Sequence, residues 1–325
     1  MRTFVTALIA CLGVLPGVAM AGADYPSKPI TLVVPYAAGG SNDVLSRVIA
    51  EQMSKTLGGP IIIENEPGAA GTTAATRTAK AAPDGYTLIM GNMGTHAVAS
   101  AQYPNLKYNP VTDFTPIGLA AGVPAVIVTR KDFPADNLKD FVAYVRANQD
   151  KINEANVGVG SPTHTFCTLL QSLMGTKTGR VAYRGGAQAM NDLIGGQVDF
   201  SCISLSGAIS QIQGGTLKAI AIASSERSEV IPNVPTTKES GLPAFIASTW
   251  NALFAPKGLP VEIQTKLNGA LVKALDDQPT RKRLIEVGFV IPNHADRTTQ
   301  ALAEMEANEV SRWSKVVKQS GVSAN

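Results

Sequence analysis

The sequence predicts an α/β protein of two lobes, each built on a mixed, mainly parallel sheet. Three observations carry that expectation. Short Ile/Leu/Val runs alternate with helical segments, as parallel strands covered on both faces by helices require. A glycine-rich loop follows strand after strand and opens the next helix. The series ends near residue 122 and a second one starts, so the 325 residues divide into two units of ordinary domain size.

Ile30-Thr31-Leu32-Val33-Val34 reads as the first strand, stopped by Pro35. The loop Tyr36 to Ser41 leads into a helix from Asn42 to Leu57, with Val44, Leu45, Val48, Ile49 and Met53 on one face. Ile61 to Ile63 is the second strand, followed by the loop Pro67 to Thr72 and an alanine-rich helix to Ala82. After the Asp84-Gly85 turn, Tyr86 to Met90 makes a third strand that ends in Gly91 to Thr95. Beyond Pro116 the chain is extended through Ala125 to Val128, and the second series begins. Asn137 to Asn148 is a helix and Val157 a short strand; Gly158 to Thr163 is a glycine loop opening a helix from His164 to Met174. Val181 to Tyr183 is a strand, and Arg184 to Ala187 opens a helix that reaches Ile194. Gln197 to Phe200 and Lys218 to Ala223 supply two further strands. Ile231 to Pro243 is a proline-rich connector, and the tail reads as two helices, Val261 to Leu275 and Thr298 to Lys318, with Trp313 on the second. The expected lobes are 22–122, joined by part of 245–325, and 123–244. Loops at the C-terminal ends of both sheets would then face each other across a cleft.

The first twenty residues follow a different pattern. Arg2 precedes an apolar run from Phe4 to Ala19, and Ala19-Met20-Ala21 is the small-x-small sequence of an export signal cleaved near Ala21. The run is too short for a permanent span. Leu8-Ile9-Ala10-Cys11 offers a rival lipoprotein reading, but the apolar sequence continues past Cys11 to the second site. Export would leave Cys167 and Cys202. They are open to reading as a disulfide, as buried small hydrophobes, or, for Cys167 three residues after His164, as a thiol nucleophile.

Composition narrows the chemistry. A formal net charge of +3, from 28 Lys+Arg and 25 Asp+Glu without a basic tract, argues against a nucleic-acid partner. No dinucleotide, P-loop or nucleophile-elbow signature follows the strands, and Gly158-Val159-Gly160-Ser161-Pro162 lacks the second elbow glycine. His96, His164 and His294 are widely spaced, so no metal site is expected. Asp43 and Asp199 read as a helix first-turn charge and a strand-end polar group, not a catalytic pair. Arg184 is either a partner for a carboxylate or a solvated loop charge. What remains is backbone chemistry. Four loops, Tyr36 to Ser41, Ala69 to Thr72, Gly160 to Thr163 and Gly185 to Ala187, each present N–H groups at a helix mouth, where an anion is favoured.

Several stretches carry a family resemblance. Tyr25-Pro26-Ser27-Lys28-Pro29-Ile30 leading to Pro35-Tyr36-Ala37-Ala38-Gly39-Gly40, then Glu64-Asn65 with Pro67-Gly68-Ala69, then Ala82-Pro83-Asp84-Gly85-Tyr86-Thr87-Leu88 resemble the Bug/TctC family. These are extracytoplasmic solute receptors of tripartite tricarboxylate transporters. The likeness continues through Tyr108-Asn109-Pro110, Asp113-Phe114-Thr115-Pro116, Gly195-Gly196-Gln197-Val198-Asp199, Pro232-Asn233-Val234-Pro235-Thr236 and Trp313. It implies a periplasmic Venus-flytrap receptor that closes on a small mono- or dicarboxylate through loop N–H groups and ordered waters, and serves membrane transporter subunits. It implies no enzymatic activity, catalytic residue or cofactor, and a monomer is expected. Tyr36, Ala38, Gly39, Gly40, Ser41, Ala69, Ala70 and Thr72 would line one wall, with Asn92 and Thr95 nearby. Ser161, Thr163, His164, Arg184, Gly186, Ala187 and Ser204 would line the other. Two departures stand out: Arg184 occupies a position where the family often has Lys, and Cys202-Ile203-Ser204 stands where many members have Cys-Asp-Gln. Cysteines near Cys167 and Cys202 recur together in one branch, which favours the disulfide. The alternatives are a sensor of the same fold feeding a signalling partner and, from another class, a secreted hydrolase using Cys167 or Ser161.

Overall fold

The computed structural model describes residues 25–159, 161–183 and 186–320, so the expected export signal, Gly160, Arg184 and Gly185 lie outside the described residues. The first series gives β1 (Ile30–Val34), α1 (Ser41–Leu57), β2 (Ile61–Asn65), α2 (Thr72–Ala79), β3 (Thr87–Asn92), the short α3 (Ala99–Gln102) and β4 (Phe114–Arg130). The second gives α4 (Leu138–Asn148), β5 (Asn153–Asn156), α5 (Pro162–Met174), β6 (Gly179–Ala182), α6 (Gly186–Ile194), β7 (Phe200–Ser204), α7 (Ile209–Gln213) and β8 (Leu217–Ile222). The chain then returns through β9 (Ser248–Pro256), α8 (Val261–Asp276), α9 (Gln278–Glu286) and α10 (Thr299–Ser320).

The elements form where residue chemistry demands them. β1 is buried along its length except at Thr31 because α1 and its neighbours cover it. α1 buries Leu45, Val48, Ile49 and Met53 and ends where Gly58 takes φ 72° and returns its N–H to Ser54 O. β2 is an edge strand, so Ile62 and Glu64 face solvent while Ile61 and Ile63 pack inward. In α4 the side chain of Asn137 accepts the Asp140 N–H and caps the helix.

Two mixed sheets result. One has the order β2-β1-β3-β9-β4, with β1 parallel to β2 and β3, and β9 antiparallel to β3 and β4. The other has β4 antiparallel to both β7 and β8, and β5 parallel to β6 and β7. β4 belongs to both: Phe114 to Pro124 pair with β9, and Ala125 to Arg130 continue into the second sheet. Each lobe is therefore parallel at its outer half and antiparallel where the lobes join. Phe141, Phe166 and Phe200 fill the core of the second lobe. In the first, α10 seats Trp313 against the sheet, and the indole N–H groups of Trp250 and Trp313 both reach Glu309 Oε2, at 3.2 and 2.9 Å.

Four expectations change. Val157 is outside a strand: β5 stops at Asn156, whose side chain accepts the Gly158 N–H at 2.9 Å and turns the chain. The strand placed at Gln197 to Phe200 begins instead at Phe200, because Asp199 spends its carboxylate on Asn153 N (2.8 Å) and Arg130 Nε (3.1 Å). The tail holds a third helix, α9, started by Asp277 accepting the Thr280 N–H. β9, absent from the sequence reading, is the strand that ties the tail to both β3 and β4.

Candidate functional site

Three loops meet at the C-terminal end of the first sheet. The loop after β1 leaves Ala38, Gly39, Gly40 and Ser41 exposed, with Gly40 as the N-cap of α1 and no side chain capping it. Asp43 shapes that loop. Burial works to raise its pKa, but hydrogen bonds from Arg47, the Gly39 N–H and Asn65 outweigh it and hold the carboxyl below the ordinary range. Asn65 also donates to Tyr36 O, so β2 and the β1 loop are locked together. Gly39 has φ 82°, a conformation that favours glycine.

The loop after β2 is the most strained segment. Gly68, Ala69, Ala70 and Gly71 take φ of 150°, 44°, 53° and 89° in succession, a left-handed turn containing two residues with Cβ atoms. Left-handed geometry costs an L-residue about 1–2 kcal/mol. Such strain persists where the surroundings over-determine it, and it clusters at binding sites. Here Gly71 N–H bonds Gly68 O at 2.8 Å and Thr72 Oγ1 donates to Ala69 O at 2.8 Å. The turn leaves Ala69 and Ala70 exposed at the mouth of α2, which also has no side-chain cap.

The end of β3 is a support and not a surface. Asn92 and Thr95 are buried. Asn92 Oδ1 accepts from Tyr36 OH and from Thr95 N, both at 3.1 Å, and Thr95 Oγ1 sits 2.8 Å from His96 Nδ1 in a π-helical turn over Gly94–Val98. His96 stacks on Phe254 at 4.1 Å; burial depresses its pKa to about 3, so the ring is neutral. Burial, partly countered by the Asn92 bond, pushes the Tyr36 phenol up to about 12, so it stays a donor. Asn42 and Asn251, joined at 3.0 Å, extend this polar floor. Sequence reasoning missed both, although an Asn within the apolar run Trp250 to Phe254 was a visible signal.

The second lobe supplies the opposing loops. Ser161 caps α5 by accepting the His164 N–H at 3.2 Å, while its hydroxyl reaches Gly158 O at 2.7 Å. Thr163 Oγ1 accepts the Val157 N–H at 3.0 Å and is 3.0 Å from Ser161 Oγ. His164 is buried, with Nε2 3.4 Å from Arg180 Nη1; burial first and the Arg180 charge second bring its pKa down to about 4. Behind it lies Glu154, wholly buried, held by Gln171, Asn156 and Arg180; burial, only partly countered by these partners, raises its pKa to about 7. Gly186 and Ala187 are exposed at the first turn of α6, and Ser204, half-buried, ends β7 opposite Ala125. The Cys167–Cys202 disulfide, with Cα atoms 5.2 Å apart, fastens α5 to β7, so neither Cys167 nor Cys202 is a thiol available as a nucleophile.

The lobes touch through a residue the sequence did not single out: Ser206 Oγ donates to Ser41 Oγ at 3.1 Å. Gly288 presses on the same spot, where an added Cβ would lie 3.2 Å from Ser206 N. Among the described residues no group of three or more metal-ligating side chains comes together, and no helix is long and apolar enough to cross a membrane.

Comparison with known proteins places the chain. The model of the tripartite tricarboxylate transporter family receptor matches residues 45–322. Protein BugT of Bordetella pertussis is 34% identical over 325 aligned residues, covering 97% of this chain and 98% of its own. MatC from Rhodopseudomonas palustris, solved with bound malate, is 44% identical with a TM-score of 0.81, covering 90% of this chain and 100% of its own. A second R. palustris protein, solved with adipate, is 31% identical with a TM-score of 0.84, covering 92% and 99%.

Proposed function

The chain belongs to the family of tripartite tricarboxylate transporter receptors, and from that premise we propose that it is a periplasmic receptor that holds a small mono- or dicarboxylate between its lobes and delivers it to membrane transporter subunits. The observation that carries this reading is the pair of helix mouths, α1 and α2, left without side-chain caps at exposed glycine and alanine loops. Unpaired N–H groups at the positive end of a helix favour a carboxylate. The opposing wall, α5 and α6, presents two further helix N-termini, and Ser41 and Ser206 mark where the walls meet. The malate and adipate held by the two R. palustris proteins direct the ligand class toward dicarboxylates. In this reading the export signal is removed near Ala21, the receptor works as a monomer, and the lobes divide near residues 122 and 245, close to where β4 passes between sheets.

The test separates site from scaffold. Gly40 has φ −76°, and a Cβ there would lie 3.5 Å from Ala37 O, an ordinary contact. Gly186 opens α6 with nothing within 4 Å of an added Cβ, in the first turn, where proline is tolerated. Gly40→Val and Gly186→Pro are therefore expected to leave the unliganded melting point in place while weakening binding by about 1–3 kcal/mol each. The wild type should be stabilised by about 2.7 kcal/mol at a hundredfold excess of ligand over its dissociation constant. No melting shift with malate, adipate or other small mono- and dicarboxylates, on protein stripped of ligand by unfolding and refolding, would exclude the carboxylate reading.

A further inference from the structure

A second cavity, of about 460 Å3, opens on the far half of α5 from the cleft. α5 gives its N-terminal residues, Ser161 to His164, to the cleft wall, and Thr168 and Leu169 to this cavity. The turn after α5 adds Thr176, Lys177 and Thr178, edge strand β6 adds Arg180, and α10 closes one side with Val316.

The hydrogen-bond inventory of this cavity is lopsided. Thr176 Oγ1 and Thr178 Oγ1 are buried and bond no protein atom, and Thr178 is only 7% exposed. A buried hydroxyl without a partner is costly, so such a pair points to a group from outside. Lys177 makes no ion pair among the described residues. Arg180 Nη2 donates to Thr168 Oγ1 at 3.1 Å, which leaves the Thr168 hydroxyl hydrogen for another acceptor. Local acceptors are already used: Gln171 receives the Thr178 N–H on its oxygen and gives its amide to Glu154. Glu154 is the one carboxylate near Arg180 in this group, 3.6 Å from its Nε, and it is buried behind Gln171 and Asn156. Donors thus outnumber acceptors around two cationic side chains, while Leu169 and Val316 offer apolar surface.

We propose that this cavity binds a small organic anion with an apolar body, a medium-chain carboxylate or sulfonate, independently of the ligand in the cleft. The anionic head would take Lys177 and Thr178 beside Arg180, whose Nη1, Nη2 and Nε already face His164, Thr168 and Glu154, and the chain would lie against Leu169 and Val316. The volume lies within the range of small-molecule sites.

Titration calorimetry with octanoate and with inorganic sulfate tests this on the full-length mature protein. Apart from any binding at the cleft, which Gly40→Val weakens, one octanoate-binding event of equal affinity is expected in the wild type and in the cleft variant Gly40→Val. The Lys177→Ala/Thr178→Val double variant should weaken it by about tenfold or more, the loss expected when a charge-assisted bond is removed. Sulfate, lacking the apolar body, should bind more weakly than octanoate. Lys177→Ala alone, at an exposed side chain, keeps the test open if the double variant does not fold. Equal octanoate affinity in wild type and pocket variants overturns the proposal. So does loss of octanoate binding in Gly40→Val, which would place the probe in the cleft, or sulfate binding as tightly as octanoate.

Discussion

Glu306 and His96 set opposite ends of the molecule's pH range. Burial lifts the Glu306 carboxyl from 4.5 to about 8, and its Oε1 has no protein partner. A raised folded pKa leaves its contribution intact below 4.5 and removes it as pH rises through 8. Glu154, raised to about 7, acts in the same direction. His96 and His164, lowered from 6.5 to about 3 and about 4, contribute fully above 6.5 and are lost as pH falls through those values. Stability is therefore expected to fall on both sides of the weakly acidic range. Glu306→Gln should flatten the alkaline limb of the melting profile between about pH 5 and about pH 8. Identical slopes for variant and wild type would remove Glu306 from this account. The disulfide offers a second residue-scale measurement. It closes a separation of 35 residues, and chain-entropy arithmetic gives about 3–4 kcal/mol for such a loop. Cys167→Ser is expected to lose that much in denaturant unfolding, and two free thiols in denatured, unreduced protein would contradict the pairing. These residues also show a limit of sequence reading. That His96 is neutral follows from its burial against Phe254 and Phe114, and nothing local in Gly94-Thr95-His96 announces such packing.

Among the elements, the left-handed turn before α2 makes the clearest demand on its residues. Ala70→Gly relieves backbone strain of about 1–2 kcal/mol while adding unfolded-state entropy worth roughly half of it, so the net expectation is neutral to stabilising by about 1 kcal/mol. Ala75→Gly, buried within α2, should instead destabilise by about 1 kcal/mol. Gly71→Ala is expected to be worst of the three, because at φ 89° its Cβ would sit 2.8 Å from Thr95 Cγ2 and 3.0 Å from Pro35 Cβ. Denaturant unfolding of the three variants ranks them, and a destabilised Ala70→Gly would mean that the turn carries no strain. The same segment explains what was legible. Pro67 to Thr72 announced a loop that opens a helix, since glycine spacing marks where a chain must turn. It could not announce that two alanines take the left-handed form, because that is imposed by Pro35, Thr95 and the ends of three strands. β5 escaped partly for a related reason: Asn153-Glu154-Ala155-Asn156 has no apolar run, and its buried Glu154 is held by Gln171 of α5 and Arg180 of β6, contacts that no local pattern announces.

At the scale of the molecule, the two lobes were readable as two series of strand, loop and helix that break near residue 122, but the sharing of one strand between them was not. β4 reads as one apolar stretch, and only its pairing shows that its two halves serve different sheets. β9 returns more than a hundred residues later to complete the first sheet beside it, a long-range pairing without a local signature. At that junction the Ala125 N–H bonds Ala247 O at 2.8 Å and the Ala247 N–H bonds Ala223 O at 3.1 Å, main-chain links between the second lobe and the segment entering β9. If the lobes part to release ligand, the contact of Ser206 with Ser41, an interlobe contact beside the junction because Ser204 pairs with Ala125, is one that must lengthen. Replacing both by cysteine places two sulfurs where hydroxyl oxygens now lie 3.1 Å apart, close enough to bridge after a small adjustment. Ser41→Cys/Ser206→Cys, oxidised with ligand present, should retain it and slow its release by about tenfold or more, since most affinity tuning appears in the off-rate. Oxidised without ligand, it should bind slowly, and reduction should restore wild-type exchange in both cases. Release at the wild-type rate from the bridged protein, with the bridge verified by mass, would show that ligand leaves without the lobes separating at Ser41 and Ser206.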